Sequence, residues 1–130
     1  AVIAQRLAKR ICVSCRKVAQ PDSDVVDEIF PDGVPDGMTF YRGTGCNHCN
    51  GFGTHGRIAV VEYLPAEIEL RRAISRHLPV DELRALAVRL GLIPLRDHAL
   101  ELARSGIIAL EELPMILSPE QLAPPKRLHA

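Results

Sequence analysis

Two Cys-x-x-Cys pairs constrain the fold of this chain more than any other feature. The pairs are Cys12 with Cys15 and Cys46 with Cys49, and they contain all 4 cysteines of the sequence. A Cys-x-x-Cys turn brings two sulfurs close enough to hold one ion, and two such turns supply the four ligands of a tetrahedral Zn²⁺ site. Four protein ligands leave no open position for water or substrate. The spacing therefore predicts a structural zinc site rather than a catalytic one.

Composition limits the partners that this chain can have. Its 130 residues carry 16 Lys and Arg against 16 Asp and Glu, so no overall field attracts nucleic acid or an anionic membrane. No apolar run is long enough to span a bilayer, and no signal peptide is visible. We therefore expect a cytoplasmic protein that neither inserts into a membrane nor binds nucleic acid. In a reducing compartment, paired cysteines indicate a metal rather than disulfides.

The segments around the two pairs predict a small β-rich zinc-binding module over residues 12–56. Residues 20–37 are rich in turn formers and contain two Pro-Asp-Gly units, with a short helix possible over residues 25–30. Residues 38–42 predict a short strand that leads to the second pair. Residues 57–64 form the clearest strand, and their nearly continuous apolar run predicts burial on both faces.

The two ends of the chain differ in how clearly they can be interpreted. Residues 1–11 are compatible with a strand or with the last turns of a helix, since the apolar spacing over so few positions fits both. After residue 64 the apolar period becomes helical. The pattern predicts four helices, over residues 66–77, 80–90, 95–104 and 110–117, and a mobile tail over residues 118–130. The expected class is α+β, a zinc module followed by a small helical subdomain.

Several other motifs do not predict a further binding site. His48 lies inside the second cysteine pair, but four thiolates already complete a zinc shell, so we expect it to be exposed. The remaining histidines show no ligand spacing and are expected to be solvated: His55, His77, His98 and His129. The glycine pattern of residues 51–56 matches G-x-G-x-x-G, yet a dinucleotide site needs a strand before it and a helix after it. Residues 46–53 also resemble one zinc-binding unit of Hsp40-type chaperones, but the first cysteine pair lacks the accompanying glycines.

The order of the short motifs resembles the C-terminal end of the type II secretion and type IV pilus assembly ATPases, the general secretion pathway protein E and PilB-like family. The matching stretches are Ala-Gln-Arg-Leu at 4–7, the first cysteine pair, Tyr-Arg-Gly-Thr-Gly-Cys-Asn-His-Cys-Asn-Gly at 41–51, Gly-Arg-Ile-Ala-Val-Val-Glu-Tyr-Leu at 56–64, and short runs at 90–92, 95–97 and 106–112. The sequence departs from the family pattern at Phe52, Thr54 and Pro114. The cysteine ligands Cys12, Cys15, Cys46 and Cys49 are retained.

This resemblance implies a place for each segment in a larger motor protein. Residues 1–11 would end a RecA-like ATPase core, and residues 57–64 would return to its edge as a neighbouring strand. The zinc module would be an insertion between these two edge strands, and residues 65–117 would form the helical C-terminal subdomain.

The parent protein would be a hexameric cytoplasmic ATPase. It would lie at the inner membrane through a platform protein and would drive protein secretion, pilus assembly or DNA uptake. ATP and Mg²⁺ would bind upstream residues. The present sequence has no phosphate loop, so no catalytic or nucleotide-contacting residue is assigned, and the chain alone is expected to be inactive.

A free-standing zinc-ribbon adaptor that binds nucleic acid or protein is the main alternative. It would use a basic cluster near the first cysteine pair, formed by Arg6, Lys9, Arg10, Arg16 and Lys17. The same cations can instead offset the net charge of about −2 that four thiolates and one Zn²⁺ carry.

Overall fold

A computed structural model describes residues 1–124. In chain order the elements are β1 (Val2–Ile11), β2 (Arg16–Val18), α1 (Ser23–Ile29), β3 (Tyr41–Gly43), β4 (Thr54–Leu64), α2 (Ile68–Ser75), α3 (Val80–Arg89), α4 (Leu95–Arg104), a 3₁₀ turn (Leu110–Glu112), α5 (Leu113–Ile116) and α6 (Pro119–Leu122). The predicted α+β class is confirmed. No helix within this part of the chain is long and apolar enough to cross a membrane.

Residues Val2–Ile11 form a strand, which decides between the two possibilities that the sequence left open. Strand β1 pairs antiparallel with β4, in a register that runs from Val2 opposite Leu64 to Lys9 opposite Arg57. This is the neighbouring arrangement that the family resemblance implied. The two short strands β2 and β3 pair separately, from Arg16 opposite Gly43 to Val18 opposite Tyr41. Within residues 1–124 the strands therefore form two sheets of two strands each.

One face of the β1–β4 pair is covered and the other is open. Val60 of β4 and Ala8 of β1 are fully buried, because α4 packs on β4 and α5 packs on β1. On the opposite face Tyr63 is 53% exposed, and its cross-strand partner Ile3 is 63% exposed. The prediction that residues 57–64 are buried on both faces is therefore wrong for this chain. Nothing within the described residues covers the second face.

A single main core joins the insertion to the C-terminal helices. From the insertion come Ile29, Phe30 and Phe40. Its other buried members are Ala8, Val60, Leu95, Ala99, Leu102, Ala103, Ile108, Leu110, Leu113, Leu117 and Leu122. The segment between the cysteine pairs is thus anchored by apolar burial at its base.

Arg96 of α4 links three separated parts of this core. Its guanidinium donates to the carbonyl oxygen of Ile29 at 2.9 Å and to that of Leu122 at 2.9 Å. It also lies 6.0 Å from the centre of the Phe30 ring. Helices α1, α4 and α6 are held together by this one side chain.

Helices α2 and α3 form a hairpin with a small core of its own. Leu70, Ala73 and Leu86 are buried there, and four further leucines pack around them. The predicted helices over residues 66–77, 80–90 and 95–104 are confirmed to within a few residues.

The chain after residue 109 differs from the predicted single helix. A 3₁₀ turn over Leu110–Glu112 precedes the four-residue helix α5. Pro114 explains the division, because a proline in the interior of a longer helix would remove the hydrogen bond to residue 110.

Residues Pro119–Leu122, which lie within the predicted mobile tail over residues 118–130, form α6. Ser118 and Gln121 cap this helix with reciprocal side-chain hydrogen bonds, and Leu122 is buried in the main core. The rest of that tail, residues 125–130, lies outside the described residues.

The buried position of Leu113 gives a stability prediction. We expect Leu113→Ala to lower the free energy of unfolding by about 2–5 kcal/mol, because it leaves a cavity in the main core. Met115 in the same helix is 79% exposed, so Met115→Ala serves as the control and should change stability by less than about 0.5 kcal/mol. Urea unfolding followed by circular dichroism measures both. Equal losses in the two variants would contradict this description of the core.

Candidate metal centre

The structure brings together all four cysteines that the sequence analysis selected. Their sulfurs lie within 4.8 Å of one another. The Sγ–Sγ distances are 3.8 Å for Cys12–Cys46, 3.8 Å for Cys15–Cys49 and 3.7 Å for Cys46–Cys49. These distances are far longer than a disulfide bond of about 2.05 Å, and all four thiols are free.

The donor set fits a tetrahedral Zn²⁺ ion. A Zn–S bond is about 2.3 Å, so the sulfurs of a regular tetrahedron lie about 3.8 Å apart. The three Sγ–Sγ distances given above agree with that value. Cys12, Cys15 and Cys49 are buried and Cys46 is half-buried, so bulk water has little access to the centre. This cluster can therefore hold one metal ion.

Backbone N–H groups orient the sulfurs. Gly45 donates to Cys15 Sγ at 3.3 Å, while Cys46 and Gly53 donate to Cys49 Sγ at 3.3 and 3.2 Å. Such N–H···S bonds fix the ligand positions and stabilise negative charge on sulfur.

The flanks of the second knuckle (residues 46–49) approach each other closely and are joined to the first knuckle (residues 12–15) by a backbone hydrogen bond. A Cβ atom on Gly43 of β3 would overlap the carbonyl oxygen of Gly53, which follows the second knuckle. The same Gly53 carbonyl accepts a hydrogen bond of 3.0 Å from the N–H of Cys12. Only glycine at position 43 lets the two flanks of the second knuckle come this close, with the Gly53 carbonyl in place to accept from Cys12.

The thiols differ in how readily they lose a proton. Burial raises the pKa of Cys49. The N–H groups of Cys46 and Gly53 lower that pKa by more than burial raises it, and the net pKa is about 6. Burial raises the pKa of Cys15 to about 11, more than the Gly45 N–H lowers it. Metal binding must therefore displace the proton of Cys15, so affinity should rise with pH.

Cationic side chains do not contact the sulfurs. Within residues 1–124 no Lys, Arg or His side chain donates to a cysteine sulfur. Arg16, which directly follows the first knuckle, donates instead to the carbonyl oxygen of Gly106 at 3.2 Å and lies 5.7 Å from the Tyr41 ring centre. The close contacts to the sulfurs therefore come from backbone N–H groups, and charge compensation by neighbouring cations stays a prediction.

The histidines divide into two kinds. His48, His55 and His77 are exposed, as predicted. The prediction for His98 is wrong, because it is half-buried and its Nδ1 accepts a hydrogen bond of 2.9 Å from the N–H of Val61. His129 lies outside the described residues.

The signal for His98 was present in the sequence. Leu95, Ala99 and Leu102 are buried in α4, and His98 lies among them at helical spacing. Glu62 of β4 plays a related part that the sequence analysis missed, since its Oε2 accepts a hydrogen bond of 2.8 Å from the N–H of Leu95. Both residues attach α4 to the strand that returns from the metal centre.

Comparison with known proteins assigns the family. Residues 1–115 match the family model described as "Type II/IV secretion system protein". The type IV pilus assembly ATPase PilB of Thermus thermophilus is 34% identical over 113 residues, which cover 86% of this chain and 13% of that protein. The type IV pilus assembly ATPase PilB of Myxococcus xanthus is 33% identical over 114 residues, covering 86% of this chain and 20% of the relative.

A relative from a secretion system shows comparable similarity. The type II secretion system ATPase E of Vibrio cholerae is 30% identical over 112 residues, which cover 86% of this chain and 22% of that protein. The chain thus spans between 13% and 22% of the length of these three relatives. The matched residues include both cysteine pairs, both long strands and helices α1 to α4. This chain therefore belongs to the family of type II/IV secretion system proteins.

Proposed function

We propose that this chain is the C-terminal, zinc-stabilised and subunit-contacting part of a hexameric cytoplasmic ATPase that powers type II protein secretion or type IV pilus assembly. The family match over residues 1–115 carries this proposal. The three relatives described above are named as ATPases of pilus assembly or secretion.

The open edge of β1 supports a position within a larger sheet. The N–H of Lys9 points away from β4 and donates to Glu112 at 3.1 Å. Because alternate residues of an antiparallel strand point the same way, the backbone groups of Ile3, Gln5 and Leu7 also face away from β4. Within residues 1–124 the only hydrogen bond to this half of the edge comes from the Arg6 side chain, which donates to Gln5 O at 2.9 Å.

The open face of the same strand pair supports the same position. Ile3, Leu7 and Tyr63 lie on it and are each more than half exposed. An unpaired edge beside an exposed apolar face is what a strand pair presents when further strands and helices are to be added. In our proposal the RecA-like core supplies them.

Zinc would act as a structural clamp. The four cysteines form a buried cluster separate from the main core, and no large apolar side chain belongs to it. The knuckles therefore lack the apolar burial that would hold them closed. Structural zinc contributes roughly 10–16 kcal/mol in small domains, which is enough to replace that burial.

The chemistry of ATP hydrolysis would reside in other parts of the parent protein. The 130 residues contain no Gly-x-x-x-x-Gly-Lys-Ser/Thr sequence, so ATP and Mg²⁺ would bind elsewhere. The chain would contribute contacts to neighbouring subunits and to the inner-membrane platform protein, without nucleic-acid binding or membrane insertion.

The clamp predicts a defined metal content. Reduced protein should contain one zinc per chain by elemental analysis, and Cys46→Ser should lose most of it. His48→Ala, a change within the same knuckle, is the control and should retain zinc. After zinc removal, amide exchange should speed up over residues 12–18 and 41–53, while Ile29 and the C-terminal helices stay protected by the main core. Unchanged protection in the knuckles, or a full complement of zinc in Cys46→Ser, would refute the clamp.

The contact between Gly43 and Gly53 predicts a second effect on zinc. We expect Gly43→Ala to speed zinc loss to a chelator, because the added methyl group collides with the Gly53 carbonyl, which accepts the hydrogen bond from the Cys12 N–H. Gly33→Ala is the control. It strains a backbone with φ of +98° but meets no atom within 4 Å, so it should leave the rate of zinc release unchanged. Equal release rates in the two variants would contradict the role given to this contact.

The motor assignment has its own test. The gene upstream of Ala1 should encode a Gly-x-x-x-x-Gly-Lys-Ser/Thr motif in the same reading frame. The encoded protein should hydrolyse ATP, and replacement of the motif lysine by alanine should abolish hydrolysis. Absence of the motif, together with salt-sensitive binding of this chain to DNA or RNA, would favour the adaptor alternative.

A further inference from the structure

The charges of the first 61 residues are completely separated along the sequence. All six acidic residues lie within residues 22–36, which contain no Lys, Arg or His. These six are Asp22, Asp24, Asp27, Glu28, Asp32 and Asp36, and every one of them is exposed. The flanking segments, residues 1–21 and 37–61, contain no acidic residue. We call residues 22–36 the acidic segment.

A β-bulge gathers basic side chains beside the second knuckle. Lys9 and Arg57 are direct cross-strand partners, but the next pair is Ile11 with Thr54, so His55 and Gly56 oppose Arg10 alone. Gly56 has a φ of +77°, which glycine adopts without strain. Bulges of this kind redirect the side chains next to them.

The redirected side chains line a cleft of about 300 Å³. His48 reaches it from the second knuckle and stacks on His55, with ring centres 4.7 Å apart. We call Lys9, Arg10, His48, His55 and Arg57 the bulge cluster. No acidic residue lines the cleft.

The cationic side chains of the bulge cluster form no ion pair within the part of the chain that the structure describes. Within residues 1–124, Lys9, Arg10 and Arg57 make no salt bridge, and none of them donates to a cysteine sulfur. Lys9 and Arg57 also lie directly opposite each other, which is unfavourable for two like charges on neighbouring strands. An anion placed over them would remove that repulsion.

The acidic segment is equally free of internal partners. None of its six carboxylates forms a salt bridge within the part of the chain that the structure describes. Its backbone is nevertheless well anchored, because Ile29 and Phe30 are buried in the main core and the N–H of Asp22 donates to Glu111 at 3.1 Å. The segment therefore presents its charges on a fixed surface.

We propose that the acidic segment of one subunit docks on the bulge cluster of the next copy of this chain. The inference rests on the proposed function, in which this part contacts neighbouring subunits, and it names the two surfaces that meet. They are different regions with opposite charge, so the contact is heterologous and repeats head to tail, as closed rings require. A single subunit carries both surfaces and satisfies neither within itself.

Charge reversal tests this contact on the full 130-residue chain. Variant A carries Arg10→Glu and Arg57→Glu, and variant B carries Asp27→Lys and Glu28→Lys. The unmodified chain should self-associate in sedimentation experiments at about 0.01 M ionic strength and dissociate at about 1 M, where charges are screened beyond about 3 Å. Each variant alone should associate at least about tenfold more weakly, because like charges then face each other.

Mixing the two variants gives the most specific readout. The unaltered acidic segment of A faces the unaltered bulge cluster of B, and the two reversed surfaces are also complementary. The equimolar mixture should therefore recover association that neither variant shows alone. A third variant with Arg71→Glu and Arg84→Glu has the same charge change on exposed positions of α2 and α3 and should associate like the unmodified chain.

Three results would overturn the proposal. These are an unmodified chain that stays monomeric with a dissociation constant weaker than about 1 mM, variant A associating normally, or a mixture that fails to recover. Urea unfolding of each variant establishes that it is folded. Zinc content and the upstream phosphate loop do not depend on self-association, so failure here would leave the zinc clamp and the motor assignment standing. Failure of those two tests would count against the proposed function separately.

Discussion

Closure of two distant knuckles onto four sulfur atoms is the constraint on which the rest of the insertion depends. Thirty residues separate Cys15 from Cys46, and β2 and β3, which lead away from the knuckles, pair over only three residues each. Two such short strands are too weak to close a loop of that length by themselves. A metal ion held by the four sulfurs would supply the missing free energy at the tip, and the Gly43–Gly53 contact closes the base of the second knuckle.

The insertion is also fixed at its opposite end. Ile29, Phe30 and Phe40 belong to the same core as the C-terminal helices, so the segment between the cysteine pairs is held by apolar packing at its base and by thiolates at its tip. The acidic segment extends from the base, and the bulge cluster adjoins the tip. Two independent anchors therefore determine how far apart the oppositely charged surfaces lie.

Sequence reasoning reached the features that depend on local spacing. The four cysteines, the α+β class, the strand over residues 57–64 and three of the four helices all follow from patterns within a few residues. Sequence reasoning failed for features that depend on contacts between distant parts of the chain. Burial of the second sheet face depends on which elements cover it, and the nearly continuous apolar run of β4 carries no information on that point.

The other differences between prediction and structure each have a signal in the local sequence that is easily given too little weight. Pro114 divides the expected last helix, and Ser118 with Gln121 forms a capping box that marks a new one. His98 lies on the apolar side of α4, where it accepts a backbone hydrogen bond. The approach of Gly43 to Gly53 has no counterpart in sequence spacing, because it joins residues whose contact exists only after the knuckles have closed.

Arg96 has a consequence for which side chains its position can accept. Its two carbonyl acceptors lie 67 and 26 residues away along the sequence, so both hydrogen bonds join parts of the chain that are distant in sequence. Only a planar guanidinium has several N–H donors in a rigid fork, and a lysine ammonium at this position would retain the charge without that geometry. The joint between α1, α4 and α6 therefore takes its specificity from the shape of the cation more than from its charge.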